Sequence, residues 1–279
     1  MKRIISLIAS CLFISNVNTQ IPCLFPSSSS AAGTSVADTE NWSPFHNPAS
    51  LSKQMFPQLS VQVENRYIIT SLSTKCFSIA YPTNHFVTGL VFSHFGFSLY
   101  HEMMLGLAFA RSFSEKFNIG VQFNYYTAYF SSSNRYFGTF FPQIGLNFPL
   151  HKNLHLGFHI YNPFQVKLLS DLTTKPLPAI FSLGLSTRFS PDFTWRIQAD
   201  KEISSNYRFA SALDYLLNEK FSFQVGAYGY EYLIMCIGLG CHFSHFSVDL
   251  ASEMHPLLGL IAIAGMRFYF PSKFRFRTK

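Results

Sequence analysis

Apolar and polar residues alternate along most of this chain with a period of two. Between positions 117 and 125 every odd residue is large and apolar, whereas every even residue is polar or glycine. The same alternation returns at 154–160, 181–188 and 193–200. Because successive side chains of a strand point to opposite faces, each segment predicts a strand with one apolar face. Repeated strands of about ten residues with this pattern are typical of a transmembrane β-barrel, whose outer wall is apolar and whose lumen is polar.

The connections between these segments predict the number of strands. Tight polar turns, such as 114–116 and 151–153, alternate with longer connections, such as 130–140 and 162–178. Short turns on one side and longer loops on the other are typical of outer-membrane barrels, which in bacteria have an even number of strands. The predicted strands are 58–67, 74–82, 85–95, 100–112, 117–129, 140–149, 153–161, 179–189, 193–201, 206–216, 221–230, 232–242, 245–254 and 257–270. The predicted fold class is all-β: a transmembrane antiparallel β-barrel of about 14 strands after an N-terminal signal peptide.

The first residues have the pattern of a secretory signal. Lys2 and Arg3 precede an apolar run over 4–14, which is too short for a membrane-spanning helix of roughly twenty residues. We expect cleavage near residue 20. A lipoprotein signal ending at Cys11 is the less favoured alternative, because the apolar run continues past that cysteine.

The chain therefore divides into four predicted parts. They are a signal peptide at 1–20, an N-terminal leader or hatch segment at 21–57, an outer-membrane β-barrel at 58–270 and a basic tail at 271–279. Hydrophobic residues make up 48% of the chain and charged residues only 13%, whereas soluble domains have about 25% charged residues. A wall that contacts lipid explains both proportions. Past the signal no apolar stretch is long enough to predict a membrane-spanning helix.

The formal charge of +7 is concentrated at the two ends of the chain. The signal contributes Lys2 and Arg3, and the tail contributes Lys273, Arg275, Arg277 and Lys279. Without these residues the body of the protein is nearly neutral. The basic pI therefore does not predict a nucleic-acid partner, although the tail remains a candidate contact for an anionic surface or partner.

Catalytic and metal-binding patterns give no positive signal. His155 and His159 share a strand face, but residues four apart on a strand are about 13 Å apart, too far to hold one metal ion. His101, Glu102 and His255 lie at predicted loop ends and could belong to an outer-membrane lipid hydrolase or acyltransferase, yet the sequence has no Gly-x-Ser-x-Gly motif. We therefore predict no catalytic residue, no metal and no cofactor, and we expect that the protein is not an enzyme.

Charged residues collect on the predicted inner face of the later strands. The candidate lumen-lining residues are Arg188, Arg196, Asp200, Arg208, Asp214, Asp249, Glu253 and Arg267. Opposite charges in a confined lumen are expected to pair, because isolated charges there are costly. A structural lining of salt bridges and a contact for an anionic ligand or cargo carboxylate both remain open.

Several short strings share an order with a known family. They are Asn47-Pro48-Ala49, Tyr161-Asn162-Pro163-Phe164, Leu177-Pro178 and His255-Pro256-Leu257-Leu258-Gly259. Over about residues 40–270 this ordered set resembles the PorV/PorQ-type outer-membrane barrels of Bacteroidetes, in the FadL-like superfamily. The resemblance implies a barrel of fourteen strands and a role in type IX secretion. More distant FadL-like relatives move hydrophobic molecules through the barrel wall.

The same resemblance suggests a use for the Ser- and Pro-rich leader. It implies that this segment plugs the lumen, and the candidate hatch residues are Trp42, Phe45, Asn47, Pro48 and Ala49. A disordered leader is the alternative.

The primary prediction is a non-enzymatic outer-membrane barrel that assists protein export by binding. Its expected partners are outer-membrane lipid and secretion-system proteins or exported cargo. The alternative is a FadL-like channel for the uptake of hydrophobic or amphipathic small molecules. The first requires protein contacts at the long loops and tail, whereas the second requires a lateral opening and an apolar pocket near Asn47-Pro48-Ala49.

Overall fold

The chain forms one closed antiparallel barrel of fourteen strands. The structure is a computed structural model that describes residues 32–37, 43–113, 116–170, 174–229 and 232–270. The predicted fold class is confirmed. The predicted signal at 1–20, the basic tail at 271–279 and Trp42 lie outside the described residues.

Each predicted segment corresponds to one barrel strand. The barrel strands are β1 (Gln58–Arg66), β2 (Ser73–Pro82), β3 (Val87–Phe97), β4 (Tyr100–Phe113), β5 (Phe117–Phe130), β6 (Arg135–His151), β7 (Leu154–Tyr161), β10 (Ile180–Ser190), β11 (Phe193–Glu202), β12 (Tyr207–Leu217), β13 (Phe221–Gly229), β14 (Leu233–His242), β15 (Phe246–His255) and β16 (Gly259–Tyr269). Two short strands, β8 (Lys167–Leu169) and β9 (Thr174–Pro176), form a separate hairpin between β7 and β10. The barrel closes where Gln58 of β1 lies opposite Tyr269 of β16.

One predicted connection is wrong. The sequence predicts a long loop over 130–140, but β6 begins at Arg135 and pairs directly with β5. Aromatic pairs across the two strands account for the extension. Tyr129 faces Tyr136 with ring centroids 4.9 Å apart, and Phe130 lies diagonally across from Phe137 at 6.1 Å. Such cross-strand pairs stabilise a strand beyond the point where its alternation is regular.

The barrel has two different ends. End A carries Pro57 and Phe270, which flank the barrel strands, together with the tight turns such as 152–153 and 191–192. End B carries the loop of residues 162–179, which contains the β8–β9 hairpin. Outer-membrane barrels have their short turns on the periplasmic side, which indicates that end B faces outward.

The outer wall is apolar and exposed. Leu105, Phe123, Phe209 and Leu239 are between 48% and 64% exposed, while their strand neighbours point into the lumen. Aromatic pairs such as Phe113 with Phe117 lie at end A, and others such as Tyr125 with Phe140 lie towards end B. An apolar band between aromatic girdles is the wall expected of a transmembrane barrel. Among the described residues no helix is both long and apolar enough to cross a membrane.

Candidate functional site

The leader enters the lumen and lies along the inner wall. Its described parts are residues 32–37, a short helix α1 (Ser43–His46) and a 3-10 helix at Pro48–Lys53. Ala32 contacts β13, Val36 contacts β7 and Leu51 contacts β3. We call residues 32–37 and 43–53 the plug. Phe45, Asn47, Pro48 and Ala49, four of the candidate hatch residues, are buried in it.

Glycines on the inner wall give the plug its space. A side chain added at Gly145 would come within 2.0 Å of Asn47 Oδ1, and one at Gly120 within 2.3 Å of the Ala49 nitrogen. A Cβ at Gly157 would come within 2.2 Å of the Val36 carbonyl oxygen. The glycines that face the plug are Gly89, Gly120, Gly145, Gly157, Gly184 and Gly226. Wall and plug are therefore complementary in shape at the level of the backbone.

Asn47 fastens the two described parts of the plug to each other and to the wall. Its Nδ2 donates to the Val36 carbonyl at 2.6 Å and to the Leu146 carbonyl of β6 at 3.3 Å. Its Oδ1 accepts from the Ala49 nitrogen at 3.0 Å and caps the 3-10 helix. A fully buried asparagine with this many partners fixes one position of the plug.

The predicted charged residues form ion pairs along β11–β16. Arg208 Nη1 lies 2.6 Å from Asp200 Oδ2, and Arg196 Nη2 lies 2.9 Å from Asp214 Oδ2. The third pair joins Arg267 Nη2 and Asp249 Oδ2 at 2.9 Å. Glu253 instead accepts from the Tyr228 hydroxyl at 2.8 Å. Arg188 has an exposed side chain near end A. We call the seven residues other than Arg188 the charged side.

The charged side also holds the plug. Arg208 Nη2 donates to the Ala32 carbonyl, and the guanidinium carbon lies 4.4 Å from the centre of the Tyr228 ring. The Val36 nitrogen donates to Gln198 Oε1 at 3.1 Å. Arg208 therefore bridges a wall carboxylate and the plug backbone, which gives it a positioning role that its place on the inner face did not predict.

On the opposite side, the part of the lumen nearer end B is apolar. One buried cluster joins Phe45 of the plug with wall residues and with Leu168 and Leu177 of the 162–179 loop. Its wall residues are Cys76, Val91, Phe95, Met104, Tyr126, Ala128, Phe141 and Tyr161. We call this cluster the apolar chamber. Barrel interiors of this kind are usually polar, so an apolar interior beneath an end-B loop is the strongest candidate for a binding site.

The described parts of the 162–179 loop, residues 162–170 and 174–179, cover the chamber, and we call them the lid. Leu168 of β8 is fully buried in the cluster. Asn162 lies at the base of the lid with φ 50°, a left-handed conformation that asparagine tolerates better than most residues. Its side chain donates to the Leu177 carbonyl at 3.1 Å and accepts from the Val166 nitrogen at 2.9 Å. Both ends of the lid are thus fixed by one residue.

A single lysine ties the lid to the wall. Lys175 Nζ forms an ion pair with Glu102 Oε1 and donates to the hydroxyls of Tyr100 at 2.9 Å and Tyr126 at 3.0 Å. The Tyr100 hydroxyl also donates to Glu102 Oε1. We call this group of four residues the latch. It lies next to the chamber, since Tyr126 belongs to both.

The wall is incomplete beside the lid. Among the described residues, β7 pairs with β6 only from Gln143 to His151, so the end-B part of β6 has β5 on one edge and no barrel strand on the other. The lid continues the wall there, and the Asn162 nitrogen donates to the Pro142 carbonyl at 3.2 Å. This section of the wall, between β6 and β10, lies directly beside Phe141 and Tyr161 of the chamber.

Sequence reasoning found the charged side but missed the chamber and the latch. Glu102 occupies an inward position of β4 between the outward residues His101 and Met103, which was the available signal. Nothing local pairs it with Lys175, which is 73 residues away.

Comparisons with solved structures support the fold. A structure of the TodX deltaS2S3 mutant, a monoaromatic hydrocarbon channel, has a TM-score of 0.63 and 12% identity, covering 88% of this chain and 99% of that one. A Pseudomonas aeruginosa FadL homologue has the same score and identity, with coverage of 88% and 97%. The Pseudomonas putida toluene transporter TodX has a TM-score of 0.57 and 12% identity, with coverage of 92% and 97%. The chain therefore has the fold of FadL-type outer-membrane barrels.

Comparisons of the sequence do not assign the chain to a family. No protein-family model matches the chain, and no curated protein matches it in sequence. The resemblance to PorV/PorQ-type barrels and the export role it implies stay predictions, since no comparison supports them.

Proposed function

We propose that the protein is a conduit for hydrophobic small molecules in the outer membrane, acting by binding and passage rather than by catalysis. The observation that carries the proposal is the apolar chamber, which lies inside a barrel of the FadL type between the plug and the lid. The structural neighbours include a FadL homologue and channels for monoaromatic hydrocarbons. This proposal corresponds to the alternative predicted from the sequence.

The chamber supplies the binding site in this proposal. Leu168 fills it from the lid, and Met104, Phe141 and Tyr161 surround it. A hydrophobic ligand would take the place of Leu168 when the lid moves, because the same side chains can exchange one apolar partner for another. Met104 suits such a site, since an unbranched thioether adapts to different shapes.

The plug supplies the barrier. It crosses the lumen against the glycines of the wall and is held by Asn47 and Arg208. A molecule in the chamber has two ways out: past the plug towards end A, or sideways where the lid replaces strand pairing beside β6. The second path keeps a hydrophobic molecule out of water, and we therefore favour it.

The proposal is tested by binding of a hydrophobic fluorophore, N-phenyl-1-naphthylamine, to the full chain in lipid nanodiscs. We expect saturable binding that Met104→Trp weakens by about tenfold or more, because the larger ring fills the chamber. The matched control is Leu105→Trp, one residue along the same strand but on the outer wall, which should bind like the wild type. Equal binding by all three proteins would overturn the proposal.

A further inference from the structure

The outer wall carries charge of one sign. Seven acidic residues lie in the barrel strands, and all of them occupy inward positions: Glu64, Glu102, Asp200, Glu202, Asp214, Asp249 and Glu253. The lysines and arginines at outward positions of the described strands are Lys75, Arg111 and Lys201. The wall that meets the membrane is therefore free of carboxylates among the described strand residues, and any charge it presents to lipid is positive.

One part of that wall gathers cationic and aromatic groups in a row. Lys75 of β2 lies directly opposite His94 of β3. The rings of His94 and His101 are stacked with centroids 5.6 Å apart, and His101 stacks on Tyr129 at 4.8 Å. His101 Nε2 lies 3.3 Å from the Tyr136 hydroxyl. We call these five residues, on five adjacent strands, the cationic row.

The row lies where the apolar band of the wall ends. Each of its residues is close to the end-B terminus of its strand. Large apolar residues follow at outward positions towards end A on four of these strands, at Phe77, Phe92, Leu105 and Phe123. Charged groups are costly within the hydrocarbon and favourable at the headgroups. The row is therefore at the level of lipid headgroups, with an apolar surface beneath it for acyl chains.

From this arrangement we infer that the cationic row binds the phosphate headgroup of an anionic membrane lipid. Lys75 supplies a point charge and the His94 imidazole supplies an N–H donor, which together suit phosphate oxygens. Tyr129 and Tyr136 already contact Asn134 and His101, and their rings form the aromatic border of the site. The acyl chains would lie over Phe92 and Leu105. This inference rests on the outer wall alone and does not depend on the proposed conduit.

Native mass spectrometry of the full chain in mild detergent tests the inference. The probes are phosphatidic acid and phosphatidylcholine with the same acyl chains. We expect one phosphatidic acid to bind about fivefold or more tightly than phosphatidylcholine, given the attraction of a lysine at the headgroup level for anionic lipid. The combined variant Lys75→Ala, His94→Ala and His101→Ala should lose this preference.

Two single variants are matched controls. Lys201→Ala removes the other outward lysine near end B, and Arg111→Ala removes the outward arginine near end A; both should keep the preference. Lys75→Gln alone should reduce it, and provides a second test if the combined variant fails to fold, as judged by heat-modifiable migration on gels.

Three results would overturn the inference. They are an absence of preference in the wild type, a preference that survives the combined variant, and an equal loss in Lys201→Ala. Inorganic phosphate is the further probe. If free phosphate at millimolar concentration binds the wild type as tightly as phosphatidic acid does, the row is a phosphate-ion site and not a lipid site.

Discussion

The two sides of the lumen are built from opposite chemistry and are closed in different ways. On the charged side, each guanidinium of Arg196, Arg208 and Arg267 meets a carboxylate on an adjacent strand. In the apolar chamber, the contacts join the wall to two segments outside the strand ladder, the plug and the lid. The charged side thus joins wall strands to each other and to the plug, while the chamber depends on side-chain packing between separate segments. We expect variants on the two sides to affect different quantities.

The largest effect is expected on the charged side. Arg208→Met removes the partner of Asp200 and the donor to the Ala32 carbonyl. Breaking a buried pair leaves an uncompensated charge, and the loss should be about 4 kcal/mol in the free energy of unfolding. Urea titration in lipid vesicles measures it. Arg188→Met, near end A with an exposed side chain, is the control and should change stability by much less. Similar losses in both variants would remove the distinction we draw for Arg208.

A somewhat smaller effect is expected in the chamber. Leu168→Ala empties space in a fully buried site, and such changes cost about 3 kcal/mol. Because the lid is one small element, we expect this loss in the free energy of lid closure rather than in the free energy of barrel unfolding. Hydrogen exchange at β8 and β9 should accelerate, while exchange in β11–β16 stays unchanged. Leu169→Ala, one residue on and 72% exposed, is the matched control. An equal effect on both regions would mean that the chamber and the charged side unfold together.

The next largest effect on stability is expected in the latch. Lys175→Met removes the cation from Glu102 but keeps the length of the side chain. Lys175 is 31% exposed, so water screens part of the interaction. We expect the free energy of lid closure to become less favourable by about 2 kcal/mol. The measurement is limited proteolysis of the lid. Adding Glu102→Gln should recover part of the loss, because the unpaired charge is then gone. Without such recovery, the ion pair would not be what closes the lid.

The smallest effect should come from a neutral change on the charged side. Glu253→Gln keeps an oxygen that can accept from the Tyr228 hydroxyl but removes the charge. Charge-assisted hydrogen bonds are stronger than neutral ones, so we expect a loss of about 1 kcal/mol in unfolding free energy. Urea titration against Glu253→Ala, which removes the acceptor, checks this. Equal losses in the two variants would assign the contribution of Glu253 to its charge alone.

The sequence predicted the wall better than what fills it. Alternation is a local signal, so each strand could be predicted from about ten neighbouring residues. The alternation also placed Arg196, Arg208 and Asp214 on the inner face. The odd or even position of a residue predicts which face of the strand it occupies, but not what it contacts across the lumen. Gly145 and Gly157 occupy inward positions, and the path of the plug explains why neither can carry a side chain. Lys175 and Glu102 come together through the conformation of the lid, and a loop has no periodic sequence pattern from which this contact could be predicted.

The path of the plug also determines when it can dock during folding. The plug is hydrogen-bonded to distant parts of the chain: Ala32 and Arg208 lie 176 positions apart, and Val36 and Gln198 lie 162 positions apart. Contacts of such high sequence separation form late, because the intervening chain must first be ordered. Docking of the leader therefore has to wait for β11 and β12, although the leader precedes every strand. Changes in these contacts should speed unfolding much more than they slow folding.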